Sequence, residues 1–229
     1  MGRWHGRVRR RSEGSGGVRR GWRTGLLSLA GLLVMVGVAG SAGSVQPYTT
    51  YETTVAADGP VAQYRFDDAT GSGTLADSAG TRTATNTGIT LGGAGPFTGS
   101  KSGAFAGAAY AALPSNPLTG ATAFSVEGWV YWTGGASYKQ PIFDFGSSST
   151  NWVYLTPASA LTNHTMLGEI HTTAGADGQV TAPTLVSKVW EYVALTETTG
   201  GVLTLYLNGA QVGQTTGVAI NPSSKREQP

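Results

Sequence analysis

Carboxylates, imidazoles and aromatic rings are the side chains of this sequence that could do chemistry, and their spacing sorts them. Glycoside hydrolysis needs two carboxyl groups flanking one bond, and a strand delivers them when they stand at alternate positions. Glu127 is followed by Gly128 and Trp129, Glu169 by Ile170 and His171, and no aspartate lies between Glu191 and Glu197. A protein that does not act as an enzyme is expected. His164, Glu169 and His171 have the types of a two-histidine, one-carboxylate metal set, and Glu169 and His171 share a face if residues 165–171 form a strand. Their spacing matches no established motif, so solvent-facing polar positions are expected instead. Residues 95–102 (GPFTGSKS) look like a phosphate loop, but Ser100 separates Gly99 from Lys101 and no helical pattern follows. A surface loop is expected there.

Sugar recognition uses aromatic faces beside amides and carboxylates on a sheet or its rim. Tyr131, Trp132, Tyr138, Trp152 and Tyr154 lie near such groups and are the candidate ligand-binding residues. Asp67, Asp68, Asp77, Asp144 and Asp177 fall at strand ends or in loops, where turn formation is the expected role. No catalytic residue, metal site or cofactor is expected, with calcium as the one ion that loop carboxylates would suit.

These side chains need strands to position them. In residues 202–207, Leu203, Leu205 and Leu207 alternate with Val202, Thr204 and Tyr206, the period of a strand with one face in a core. Residues 190–195 (WEYVAL) precede it across Thr199-Gly200-Gly201, and Asn208-Gly209 supplies positive φ for a type I′ turn into residues 210–213. In residues 124–132, Phe124, Val126, Val130 and Trp132 share one face and Glu127, Trp129 and Tyr131 the other. Residues 60–66, 86–91, 104–105, 108–113, 140–145, 152–156, 165–171 and 179–182 are further strand windows, residues 67–87 read as loop, and residues 51–57 as one or two helical turns before Asp58-Gly59-Pro60. Strand signals every ten to fifteen residues with no long helical pattern predict an all-β, two-sheet antiparallel jelly-roll sandwich.

Of 229 residues, none is cysteine and 35 are glycine, so disulfides and thiolate chemistry are excluded. Eight of the 15 basic residues lie in the first 23 positions, whereas residues 43–229 hold seven basic against twelve acidic residues, a net of −5. An acidic body lacks the basic patch that nucleic acid requires. The basic start is followed by an apolar run over residues 25–39 and by the small residues Gly40-Ser41-Ala42. That order predicts an export leader over residues 1–42, cut after Ala42. The run is shorter than the roughly 20 residues that span a bilayer, so a membrane anchor is the alternative to a secreted or cell-surface protein. Arg19-Arg20 lacks the surroundings of a twin-arginine signal. Residues 43–58 read as a linker with a short helix, residues 59–221 as the sandwich and residues 222–229 as a polar tail.

Six segments in order give the sandwich a family resemblance. They are residues 57–66 (ADGPVAQYRF) with 76–80 (ADSAG), residues 102–107 (SGAFAG) leading to Tyr110 and Leu113-Pro114, residues 124–130 (FSVEGWV), 142–146 (IFDFG), 190–195 (WEYVAL) and 203–209 (LTLYLNG). Over residues 56–221 the chain resembles the LamG-like jelly-roll domains of the concanavalin A-like lectin/glucanase superfamily. The resemblance implies two facing antiparallel sheets and a non-catalytic role, and makes Trp129 and Trp190 packing residues. The family's glucanases carry a Glu-x-Asp-x-x-Glu strand that is absent here. Ala106 stands where the family commonly has aspartate, which removes one acceptor from any ion site. The family also continues with closing strands where this chain has residues 222–229, so the last strands are expected to be missing and a sheet edge to be left open. The expected role is an exported module, or a truncated piece of a larger surface protein or glycoside hydrolase, that binds a polysaccharide or cell-surface glycan. The alternative is a structural or adhesive domain that binds protein. Nucleic acid is not an expected partner, and the membrane is one only through an uncleaved leader.

Overall fold

A computed structural model describes the backbone of residues 2–11, and residues 48–135, 140–147, 151–172 and 177–218. The elements are β1 (Gly2–Arg11), α1 (Tyr48–Ala57), β2 (Ala62–Tyr64), β3 (Thr74–Leu75), β4 (Ala84–Thr87), β5 (Thr90–Ala94), β6 (Lys101–Phe105), β7 (Tyr110–Ala112), β8 (Ala123–Trp132), β9 (Phe143–Ser147), β10 (Asn151–Ser159), β11 (Thr165–Thr172), β12 (Gly178–Ala182), β13 (Trp190–Glu197), β14 (Val202–Leu207) and β15 (Ala210–Thr216). Every pairing among the described strands is antiparallel.

One large sheet runs β15-β14-β13-β8-β1-β6-β5, with β2 also paired to β1; a second runs β12-β11-β10-β9, and a small third runs β3-β4-β7. The two larger sheets bury a common core. β8 contributes Phe124, Val126, Val130 and Trp132, β13 and β14 contribute Val193, Leu195, Leu203 and Leu205, and Val153, Leu155, Met166, Ile170 and Val180 come from the four-stranded sheet. Period-two alternation produces this layer directly, because every second side chain of each strand faces the opposite sheet. A second cluster, including Tyr64, Phe66, Leu75, Ile89 and Leu91, lies under the N-terminal strands.

Two glycines allow close approach within the sandwich. A Cβ on Gly168 of β11 would stand 2.7 Å from Leu195 Cδ1 of β13, and one on Gly213 of β15 would stand 2.5 Å from the Thr181 carbonyl oxygen of β12. The missing side chains let β11 and β13 share one thin core and let β15 lie beside β12.

The sandwich is as expected, and so is the second hairpin: Asn208 and Gly209 have φ of 51° and 84°, and Asn208 Oδ1 accepts the Tyr192 amide. The short helix before Gly59 is also present and begins at Tyr48, three residues earlier than expected. Its Glu52 holds Arg65 at 2.5 Å and accepts from Gln63 Nε2 at 2.9 Å, which docks α1 against β2.

Other windows differ. The strand expected over residues 60–66 shrinks to three residues, since Phe66 turns left-handed at φ 57° to bury its ring. The window at 86–91 is two strands broken at Gly88, where φ is 73°. The windows at 104–105 and 108–113 do not pair with each other: β6 joins the large sheet, while β7 pairs with β4. Residues 74–75 and 84–87, read as loop, are paired strands. β1, drawn from the basic start of the predicted leader, occupies the middle of the large sheet. The apolar run and the residues after Val218 lie outside the described residues.

Candidate functional site

The outward face of the four-stranded sheet carries a row of polar and aromatic side chains. Core positions alternate with outward ones, so burying Phe143, Val153, Leu155 and Ile170 turns Asp144, Trp152, Tyr154, Glu169 and His171 outward. The register aligns Asp144, Tyr154, Glu169 and Gln179 in one rung across all four strands. The next rung holds Gly146, Trp152 and His171. Cross-strand neighbours stand about 5 Å apart, so side chains along a rung are in reach of each other.

Glu169 is the centre of this face. It is 6% exposed, and each of its oxygens is engaged: Oε1 accepts from Trp152 Nε1 at 2.9 Å, and Oε2 from Gln179 Nε2 at 2.8 Å. Burial pushes the Tyr154 hydroxyl up to about 12, with further contributions from the negative charges of Glu169 and Asp144 and a hydrogen bond to Glu169. The phenol therefore stays protonated and can donate throughout the physiological range. Trp152 stacks on His171, ring centroids 3.9 Å apart and planes 15° from parallel, and His171 Nδ1 pairs with Asp177 Oδ1. On the opposite flank of Trp152 stands Gly146, where a Cβ would lie 2.8 Å from the tryptophan's own Cβ. No side chain covers that flank from position 146.

The five aromatics picked from sequence separate. Trp152 and Tyr154 come together on this face. Trp132 lies inside the core at 8% exposure, where its Nε1 donates to Gln140 Oε1 at 3.3 Å, so its ring is not presented with the other two. Tyr131, one residue earlier, is on the outer side of the large sheet against Trp190, centroids 5.5 Å apart. Tyr138 lies outside the described residues. Trp129 packs between Phe97 and Tyr192, as a packing residue should, and Tyr51 of α1 covers Phe97. Sequence reasoning did not select Glu169 and Gln179 as ligand-facing residues. Only the pairing of β11 with both β10 and β12 shows that they flank Tyr154.

The metal and phosphate possibilities can be placed as well. His164 sits in the β10–β11 connection at φ 65°, its amide bonded to the Ser159 carbonyl, before the strand that carries Glu169 and His171. Asp77 accepts three backbone amides, those of Gln63, Ala79 and Arg82, and Asp68 accepts that of Ala76. These are turn-forming roles. Among the described residues, no three histidine or carboxylate side chains gather in a way that could hold a metal ion. The phosphate-loop lookalike is a tight β5–β6 turn, with the Gly95 amide on the Ser100 carbonyl and the Ser100 hydroxyl on the Phe97 carbonyl.

A laminin G-type family model, described as concanavalin A-like lectin/glucanases superfamily, matches residues 105–228, more than half of the chain. The chain belongs to this superfamily. The matched stretch holds the outer face just described, whereas residues 56–104, which also resemble the family, precede it. The superfamily includes both glycosidases and non-enzymes, and its lectin and laminin G-type members bind carbohydrate or protein. Laminin G-type domains are usually extracellular, and among the described residues no helix is long and apolar enough to cross a membrane. No curated protein and no solved structure matches the chain.

Proposed function

We propose that this chain is an exported, non-catalytic module that binds a polysaccharide or cell-surface glycan on the outer face of its four-stranded sheet. The rung of Asp144, Tyr154, Glu169 and Gln179 beside Trp152 carries this reading. A sugar presents an apolar C–H face and a rim of hydroxyls. An aromatic ring suits the first, and alternating acceptors and donors suit the second. Tyr154 offers its hydroxyl oxygen as an acceptor while its proton is directed to Glu169, Asp144 adds further acceptors and Gln179 an amide, all from rigid strands rather than loops.

A binding role rather than hydrolysis is supported by the state of Glu169. A general acid or nucleophile needs a free oxygen aimed at the scissile bond. Both oxygens of Glu169 already accept internal hydrogen bonds, so this carboxylate organises the face. Export is supported by the basic, apolar, small-residue order of residues 1–42.

A glycan array probed with the purified chain, with and without added calcium, tests the proposal. Binding to a defined glycan class, lost on Trp152→Ala, is the expected result. An array without signal in either condition would remove the lectin reading and leave protein contact, for which Leu161, Val186 and Val189 are the exposed large apolar side chains among the described residues. Release of reducing sugar from a β-glucan would overturn the non-catalytic assignment.

A further inference from the structure

We propose that the outer face of the four-stranded sheet selects its glycan by charge, and that the ligand is a polymer of amino sugars with free, protonated amines. The choice of sugar rests on the reading of this face as a glycan site. What decides it is where the neighbours of Glu169 send their protons. The Trp152 indole N–H and one N–H of the Gln179 amide go to its two oxygens, and the Tyr154 hydroxyl also hydrogen-bonds to it. Side chains that could donate to a ligand thus donate inward. Toward a ligand they leave mostly acceptors: the Tyr154 oxygen, the Gln179 carbonyl with its one remaining N–H, and the Asp144 carboxylate in the same rung. An acceptor-rich face needs a ligand that brings donors. An ammonium group brings three N–H donors and no acceptor, whereas an ionised carboxylate brings acceptors only.

The charge on this face points the same way. From Gln140 to Ser187 the sequence holds no lysine or arginine and three acidic residues, Asp144, Glu169 and Asp177. All three belong to this face. Asp144 and Glu169 flank Tyr154 in its rung, and Asp177 pairs with His171, the ring stacked on Trp152. Glu169 is buried, and the groups hydrogen-bonded to it are neutral, so among the described residues no cation stands against its charge. A carboxylate in a poorly hydrated site is screened less than one in water. Its field reaches Tyr154, whose proton is held on by burial first and then by the charges of Glu169 and Asp144. An anionic sugar would meet like charge and find few donors, and both select against it.

The geometry gives an ammonium group a place. His171 covers one side of the Trp152 indole, and Gly146 puts no side chain on the other. Asp144 precedes Gly146 by two residues on β9 and faces the same way, about 7 Å along the strand. A sugar laid on the open side of the indole can turn its amine toward Asp144, and a cation beside that ring gains a further attraction from its π face.

Titration calorimetry of the full chain against three oligosaccharides of equal length tests this. They are a β-linked glucosamine oligomer, a cello-oligosaccharide with hydroxyls in place of the amines, and an oligouronate, in slightly acidic buffer where the amines hold their protons. The glucosamine oligomer is expected to bind at least tenfold tighter than the cello-oligosaccharide at low salt, with the preference shrinking as salt is added, and the uronate is expected not to bind. Asp144→Asn should lower affinity for the glucosamine oligomer more than for the cello-oligosaccharide. Trp152→Ala separates this site from diffuse attraction of a polycation to an acidic chain: the full preference retained in that variant overturns the proposal. Equal binding of the charged and uncharged oligomers, or tighter binding of the uronate, overturns it too and leaves the face a glycan site. Absence of binding by the glucosamine oligomer overturns it whatever a glycan array shows, while the glycan reading itself falls only if the array is silent as well. The ligand comparison uses the unsubstituted chain, so it stands even where a variant fails to fold.

Discussion

Trp152 of β10 lies flat against His171 of β11, ring centroids 3.9 Å apart, while its indole N–H reaches down the sheet to Glu169. The stack fixes the plane of the indole and covers one of its faces. The hydrogen bond fixes its rotation. A tryptophan held in this way gives up little side-chain entropy when a ligand arrives, which is the property of a preorganised binding platform.

Removing the platform should remove binding. Trp152→Ala is expected to weaken glycan affinity at least tenfold, about 1.4 kcal/mol or more, while the thermal transition remains cooperative because the ring is outside the core. Trp129→Ala serves as the contrast: it should lower stability, through loss of packing to Phe97 and Tyr192, and leave affinity unchanged. Titration calorimetry and differential scanning calorimetry on both variants decide the matter. Equal affinity in Trp152→Ala would refute the role given to the outer face.

Glu169 as a carboxylate only accepts, and the Trp152 Nε1 and Gln179 Nε2 donors that face it are both satisfied, beside the Tyr154 hydroxyl that also hydrogen-bonds to it. Glu169→Gln sets an amide group against one of these donors and should cost about 1–3 kcal/mol. Exchanging the pair, Glu169→Gln with Gln179→Glu, restores one acceptor for each donor and should recover most of the loss. Urea unfolding of the two single variants and the double variant closes the cycle. Additive losses in the double variant would mean that the two side chains are uncoupled.

Glu197, at the end of β13, is 3% exposed and its Oε2 has no hydrogen-bond partner. Burial pushes its carboxyl from the ordinary 4.5 up to about 8. The folded chain therefore keeps the proton over a range in which the unfolded chain has lost it. Stability carries no penalty from this group below pH 4.5, falls as pH rises from 4.5 to 8, and is penalised in full above 8. Each tenfold difference in proton affinity is worth about 1.4 kcal/mol, so the penalty reaches a few kcal/mol. Glu197→Gln is neutral at every pH. The melting temperature of the variant minus that of the parent should grow between pH 5 and pH 8, and a difference that is constant with pH would rule out a titrating Glu197.

Gly168 is expected to be intolerant of alanine. A Cβ there would meet Leu195 Cδ1 at 2.7 Å and Val180 Cγ1 at 3.2 Å, both fully enclosed in the core. Overpacking of this kind costs about 1–3 kcal/mol. Adding Leu195→Val to Gly168→Ala makes room and should return part of the stability, measured by the denaturation midpoint. A Gly168→Ala chain with the parental midpoint would mean that the sheets separate at no cost.

Much of the fold was legible because its signals are local. The alternation in residues 124–132 and 202–207 and the Asn208-Gly209 turn all act within a few residues, and β8, β14 and β15 lie where they were expected. The failures also have local causes that a pattern cannot weigh. Phe66 ends a strand early because burying its ring outweighs the cost of a left-handed backbone. Gly88 breaks one apparent strand into two that join different sheets.

The sequence by itself determined the all-β class, the superfamily resemblance, the acidic body behind a basic start, and the aromatic candidates. Each of these depends on residue type and near-neighbour spacing. Only the tertiary structure decided which candidates share a surface. Strand parity put Trp132 in the core and Tyr131 on the far sheet. Pairing of the four consecutive strands β9 to β12 in this register put Tyr154 between Asp144 and Glu169, with Gln179 beyond. Pairing between segments far apart in the chain set residues 2–11 beside β8. Register between distant strands is set by the fit of whole faces against a common core, and no window of a few residues contains that information.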